Sequence, residues 1–393
     1  MREVVIAGAV RTAIGGFGGT LKETPVPHLG ATVIREALAR AGVALTDVDE
    51  VIMGHVLQAG WGANTARQAA LAAGVPENIP EYTVNKVCAS GMKAIALGAL
   101  SIAAGESEIV VAGGMENMSA SPYLLSKARS GYRLGDGELL DVLLRDALTD
   151  PTEGCHMGMT AEHLAAEFGV TREEQDTFAA ASQQKAASAM DAGAFANEIV
   201  AVEIPQRKGG SIRFDKDEFV KPSTTVQILS RLKPAFKPDG TITAGNASGI
   251  NDGAAAMVLL SAEEAERRGI EPMAKIVSYA SAALEPMRMG LGPVPATRVA
   301  LGKAHLALDD IQVVELNEAF AAQSIAVIRE LGLDPDRVNR NGGAIALGHP
   351  VGASGARIVV TLLHVMKSAE ARLGLATLCV GGGQGMAMIL ESC

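Results

Sequence analysis

Val84-Asn85-Lys86-Val87-Cys88-Ala89-Ser90-Gly91-Met92 carries an extended run into Gly91–Ala104, an Ala-rich stretch of helical length. Its end nearly recurs: Ser90-Gly91-Met92-Lys93 resembles Ser354-Gly355-Ala356-Arg357, 264 residues later, where Gly355–Met366 is again of helical length. Two further pairs keep the same order. Ala44-Leu45-Thr46-Asp47-Val48 resembles Ala307-Leu308-Asp309-Asp310-Ile311 at an offset of 263, and Ala112-Gly113-Gly114 resembles Val380-Gly381-Gly382 at an offset of 268. Ordered matches at nearly constant spacing point to duplicated halves.

Short apolar runs bounded by Gly or Asp read as buried strands: Val4–Ala9, Val51–Met53, Ile109–Ala112, Val313–Leu316 and Ala376–Val380. Their alternation with helical stretches predicts βαβ units and a largely parallel sheet covered by helices. The fold class is α/β, with two duplicated halves. Of the 393 residues 48% are hydrophobic and only 3% aromatic, with 44 glycines, so Ala, Val, Leu and Ile must build the core. Such a composition excludes a disordered chain, and small residues suit close packing of helices on sheets.

A net charge of −10 argues against a general nucleic-acid role. The four cysteines, at 88, 155, 379 and 393, form no CxxC pair, no zinc spacing and no disulfide scaffold. The N-terminus enters a strand pattern at once, without a signal peptide, and no run of about 18 apolar residues reads as a membrane span. A cytoplasmic protein without a membrane partner is the expectation.

The stretch 119–250 has another texture, with Pro122, Pro151, Pro205, Pro222, Pro234 and Pro238 between polar helices. Thr171-Arg172-Glu173-Glu174 has capping-box spacing, and Gly193 is placed to end the helix that follows. The resulting division is an N-terminal half over 1–118 and 251–270, an inserted subdomain over 119–250, and a C-terminal half over 271–393. Between Gln206 and Lys237 the local charge excess is +5. That excess suits either a solvated surface or a groove for a phosphorylated small molecule.

Cys88, at the start of a helix, is either a buried core thiol or a nucleophile whose thiolate the helix dipole favours. His349 lies in a glycine-punctuated loop, Asn341 to Gly355, and is followed by Pro350, a setting that suits a positioned general base. The same loop lacks both the P-loop Lys-Ser/Thr and GxGxxG spacing. Cys379 precedes Gly381-Gly382-Gly383, where the backbone can approach a ligand closely. It is either buried filler or a second reactive thiol. His156 and Asn317 complete the polar candidates.

Together these blocks resemble the thiolase family over essentially the whole chain. The matching motifs are Val87 to Met92, Asn246 to Ala254, Asn317-Glu318-Ala319-Phe320, Gly342-Gly343 through His349-Pro350 to Gly355, and Cys379 with Gly381–Gly383, in the family's order. Within the family the likeness is greatest to biosynthetic acetyl-CoA acetyltransferases, on His156-Met157-Gly158. Gln384 departs from it, standing where such relatives frequently carry Met.

The resemblance implies a thiolase-like fold and reversible condensation of two acetyl-CoA to acetoacetyl-CoA and CoA through an acetyl-Cys88 intermediate. His349 would accept the thiol proton, and Cys379 would take a proton from the second substrate. Asn317, through a water, and His349 would form one oxyanion hole; the backbone N–H groups of Cys88 and Gly381 would form another. The inserted subdomain would cover the site, with Leu148, His156, Met157, Lys221, Ala235, Phe236, Ala244, Ser248, Ala319 and Phe320 at CoA-contact positions. Lys221 stands where relatives often have Arg. Coenzyme A would be substrate and product, with no cofactor or metal, and the assembly a homotetramer. The competing readings are a 3-ketoacyl-CoA thiolase of fatty-acid β-oxidation, a silent acyl-CoA-binding protein of the same fold, and a ketoacyl synthase.

Overall fold

The computed structural model describes residues 2–206 and 209–393. Arg207 and Lys208, two of the basic residues counted above, lie outside the described residues. In the first half come β1 (Val4–Thr12), α1 (Val26–Ala41), β2 (Glu50–Gly54), α2 (Thr65–Ala73), β3 (Glu81–Val84), α3 (Ser90–Ala104) and β4 (Ile109–Asn117). The insertion carries α4 (Met157–Glu167) and α5 (Arg172–Asp191). Then follow β5 (Asn251–Ser261), β6 (Ala274–Ala283), α6 (Pro293–Ala304), β7 (Val313–Leu316), α7 (Ala321–Leu331), α8 (Val351–Ser368), β8 (Leu373–Val380) and β9 (Gln384–Ser392).

These strands line up as β7-β8-β9-β6-β1-β5-β4-β2-β3. At the centre, β1 and β6 pair only at Val5 with Lys275 and Ile6 with Ala274, so two half-sheets meet at a narrow seam. Reading outward from that seam, β1-β5-β4-β2 and β6-β9-β8-β7 are built alike: the duplication seen in the sequence is a duplication in space. The largely parallel sheet is corrected, however. Along this order β2 with β3, β2 with β4, and β7 with β8 run parallel, and off it the short strand Ile199–Val200 pairs parallel with β1. The remaining neighbours are antiparallel, because β5 and β9 each return alongside the strand before them.

Helices α3 and α8 lie against each other between the half-sheets, within one apolar cluster that includes Met92, Ile95, Ile102, Ile358, Val359 and Leu362. Separate clusters hold α1 and α2 on the outer face of one half-sheet and α6 and α7 on the outer face of the other. The repeated Ser-Gly pair marks the crossing of α3 with α8. A Cβ on Gly91 would stand 2.7 Å from the backbone nitrogen of Ala356, and one on Gly355 2.6 Å from that of Met92. Only glycine lets the two backbones approach so closely.

The region 87–104, which contains α3, has a mean hydropathy of 1.6, apolar enough to qualify as a membrane span by composition. Most of it is interior, sandwiched as described, and this revises the expectation that no such run exists. In the insertion, the Thr171 side chain accepts from the Glu174 backbone and Glu174 answers at Thr171 N–H, forming the predicted capping box. Gly193, at φ +71°, follows the end of that helix.

Candidate active site

Strand β3 ends at Val84, and a tight turn then delivers Cys88 two residues before α3. The amides of Gly381 and of Cys88 itself point at the Cys88 sulphur, which favours a negative charge there. Burial opposes them and wins, pushing the thiol up to about 11. The thiolate expected from the helix dipole is therefore corrected to a neutral thiol.

His349 sits just before α8 and is buried. Its backbone N–H donates to Asn251 Oδ1 at 2.9 Å, and its Nδ1 lies 2.6 Å from Ser354 Oγ. Burial, assisted by the charge of Arg357, drops the imidazole to about 3, so it is a neutral base. Two buried carboxylates hold the surrounding loop. Glu318 accepts from Ser182 Oγ, Asn339 Nδ2 and Ile345 N–H at 2.7, 2.7 and 3.2 Å. Glu116 accepts from Gly352 N–H at 2.9 Å, inside the first turn of α8, where a negative charge complements the helix dipole.

Cys379 is buried near the end of β8, and burial together with the neighbouring Cys88 raises its thiol further still. The chain then turns through Gly382 and Gly383, both with positive φ, into β9. This turn places Gly381 N–H beside Cys88.

All three groups open into one cavity of about 270 Å³. Its wall includes Leu148, His156, Met157, Ala235, Phe236, Ala244, Ser248, Ala319, Phe320 and Gly381, so the insertion meets both halves here. His156 caps α4 by accepting from Gly158 N–H at its Nδ1, at 3.0 Å. Its ring stacks on Phe236 with centroids 4.6 Å apart, and Phe236 meets Phe320 edge-on at 6.2 Å. Ala235 and Ala244 are exposed, and Met157, Ala319 and Phe320 are buried.

Two residues singled out in the sequence do not line this cavity. Lys221 is exposed, its ammonium 5.1 Å from the centre of the Phe219 ring. Asn317 is wholly buried beyond the end of β7, with side-chain oxygen and nitrogen both lacking a protein partner. An amide unpaired in the interior fits a residue that binds water. Conversely, Met118, Ala147, Thr243 and Met289 line the cavity without having been identified. Val87 and Val351, which also line it, belong to the motifs already quoted, but Met289 sits in a 3₁₀ turn, Pro286–Leu291, that carries no chemical signal.

The family models described as "Thiolase, N-terminal domain" and "Thiolase, C-terminal domain" match residues 4–263 and 270–392. A protein of Escherichia coli K12 named acetyl-CoA acetyltransferase is 58% identical over 392 residues, covering 100% of this chain and 99% of its own. One of the same name from Pseudomonas aeruginosa is 56% identical over 390 residues, with 99% of each chain covered. The crystal structure of the Bacillus anthracis acetyl-CoA acetyltransferase superposes with a TM-score of 0.98 at 48% identity, covering 100% of this chain and 99% of that one.

Proposed function

The chain belongs to the thiolase family, and we propose how its residues divide the work of the reaction it catalyses, the condensation of two acetyl-CoA to acetoacetyl-CoA and CoA. Cys88 Sγ attacks the first thioester while His349 accepts its proton. The departing CoA sulphur takes the proton of Cys379, leaving a thiolate opposite an imidazolium. That thiolate removes a methyl proton from the second acetyl-CoA, and the carbanion attacks the acetyl group on Cys88. Cys88 is released and recovers its proton from His349. Every group begins and ends neutral, which agrees with the effect of burial on all three.

The oxyanion of each tetrahedral intermediate rests on the amides of Cys88 and Gly381. The enolate oxygen rests on His349 and a water held by Asn317. Losing one such donor costs about 2.7–4 kcal/mol in the barrier. The observation that carries this reading is the meeting of Cys88, His349 and Cys379 in one cavity, beside the Gly381 amide.

CoA would lie along the insertion, past Ala235 and Ala244, with Lys221 too far out to touch the acyl end. It is substrate and product, and these steps draw on no further cofactor. We place the boundaries of the halves at 1–118 with 251–270 and at 271–393, around an insertion at 119–250. A homotetramer is supported by the exposed apolar side chains of Tyr123, Leu125, Leu134 and Leu139 on the insertion. A cytoplasmic setting agrees with four unpaired cysteines.

The test is brief exposure to labelled acetyl-CoA followed by peptide mass spectrometry. One acetyl group on Cys88 is expected; label on Cys379 or Cys393 would overturn the assignment.

A further inference from the structure

Val87, immediately before the nucleophile, has φ +48°. A β-branched residue in the left-handed region is strained, and such a conformation persists only where its surroundings enforce it. The enforcement comes from both sides of the same peptide segment. Asn85 Oδ1 accepts from Val87 N–H at 3.0 Å, while the Ser90 hydroxyl donates to Val87 C=O at 2.6 Å and accepts from Lys86 N–H at 2.8 Å.

A serine at a helix start ordinarily turns its hydroxyl forward, to the free N–H groups of the first turn. Ser90 does the reverse. Ser90 opens α3, yet it binds the two peptide groups that precede Cys88, while the cap residue Ala89 supplies no side-chain bond. The hydroxyl is fully buried, and the Ser90 backbone is pressed against β2, where a Cβ on Gly54 would stand 2.4 Å from its carbonyl carbon. The clamp therefore has a rigid base.

We propose that Ser90 is a positioning residue: it holds Val87 in its left-handed conformation and so aims the Cys88 sulphur between its own amide and that of Gly381. The inference rests on Cys88 being the acetylated thiol. It requires that removing the hydroxyl slow acetylation only while residue 87 resists the turn. Glycine takes φ +48° freely, so Val87→Gly makes the clamp unnecessary.

The experiment is a cycle of four full-length proteins: wild type, Ser90→Ala, Val87→Gly and the double variant, each mixed rapidly with labelled acetyl-CoA. Ser90→Ala should slow acetylation of Cys88 at least tenfold with CoA affinity unchanged, and the same change in the Val87→Gly background should cost less than threefold. Equal losses in both backgrounds, or no loss in either, would overturn the inference. Label found on another cysteine would instead defeat the assignment of the nucleophile, so the two failures are distinct. Should Ser90→Ala not fold, Asn85→Ala, which releases the other side of the same turn, is put through the same cycle and judged by the same outcomes.

Discussion

His349 Nδ1 lies 2.6 Å from the hydroxyl of Ser354, and that hydroxyl donates to the carbonyl of Pro350 at 2.9 Å. A hydroxyl has one proton. With it directed to Pro350, Nδ1 must be the donor in the short bond, which leaves Nε2 with its lone pair free to act as the base. Ser354 matches Ser90 in the repeat, so the same position of each half steadies one reacting side chain.

Ser354→Ala should lower kcat by roughly tenfold or more while KM changes less than twofold, because the wrong tautomer wastes bound substrate without weakening its binding. Steady-state kinetics with acetoacetyl-CoA and CoA check this; an unchanged kcat would show that Ser354 does not set the tautomer.

The pH dependence follows from two displaced groups. Burial takes Cys88 up to about 11 and, with Arg357, takes His349 down to about 3. The reactive pair, neutral thiol and neutral imidazole, is therefore intact between those values. The rate of Cys88 acetylation should stay flat from about pH 5 to about pH 9. Alkylation of Cys88 by iodoacetamide needs thiolate and should climb about tenfold per pH unit through that range without a plateau. A rise that bends over at about pH 8.5–9 would mean an ordinary thiol.

The two thiols should separate by step. Cys88→Ala removes both acetylation and turnover. Cys379→Ala should still acquire label on Cys88, with the His349 imidazolium protonating the departing CoA in place of Cys379, yet condensation should fall by at least a hundredfold, the ordinary contribution of one proton-transfer group. Single-turnover acetylation set beside steady-state condensation measures both. Condensation within threefold of wild type would remove Cys379 from the mechanism.

Met157, Met289, Leu148 and Phe320 line the cavity that Cys88 opens into, and a wall of such side chains would leave a long acyl chain little room. An open pocket would gain about 0.8 kcal/mol for each buried methylene, whereas overpacking a filled one costs about 1–3 kcal/mol. Thiolytic kcat/KM should be highest with acetoacetyl-CoA and at least tenfold lower with 3-ketooctanoyl-CoA, a change of about 1.4 kcal/mol. Met157→Ala should narrow that gap. A flat or rising profile in the wild type would instead favour the β-oxidation reading.

The sequence by itself determined the alternation of strands and helices, the duplicated halves and the motifs that face the chemistry. Each of these is written locally, in apolar periodicity, glycine punctuation and ordered repeats. Helix α3 starts within one residue of the reading, and the capping box at Thr171 forms as its spacing dictates. Tertiary structure alone decided the direction of β5 and β9, which follows from how the half-sheets close and leaves no trace in strand composition. It also brought Met289 to the wall and left Lys221 outside it. The protonation of Cys88 shows the reason most directly: the helix start that favours thiolate is visible in the sequence, but the burial that outweighs it is set by how the folded chain packs around the thiol.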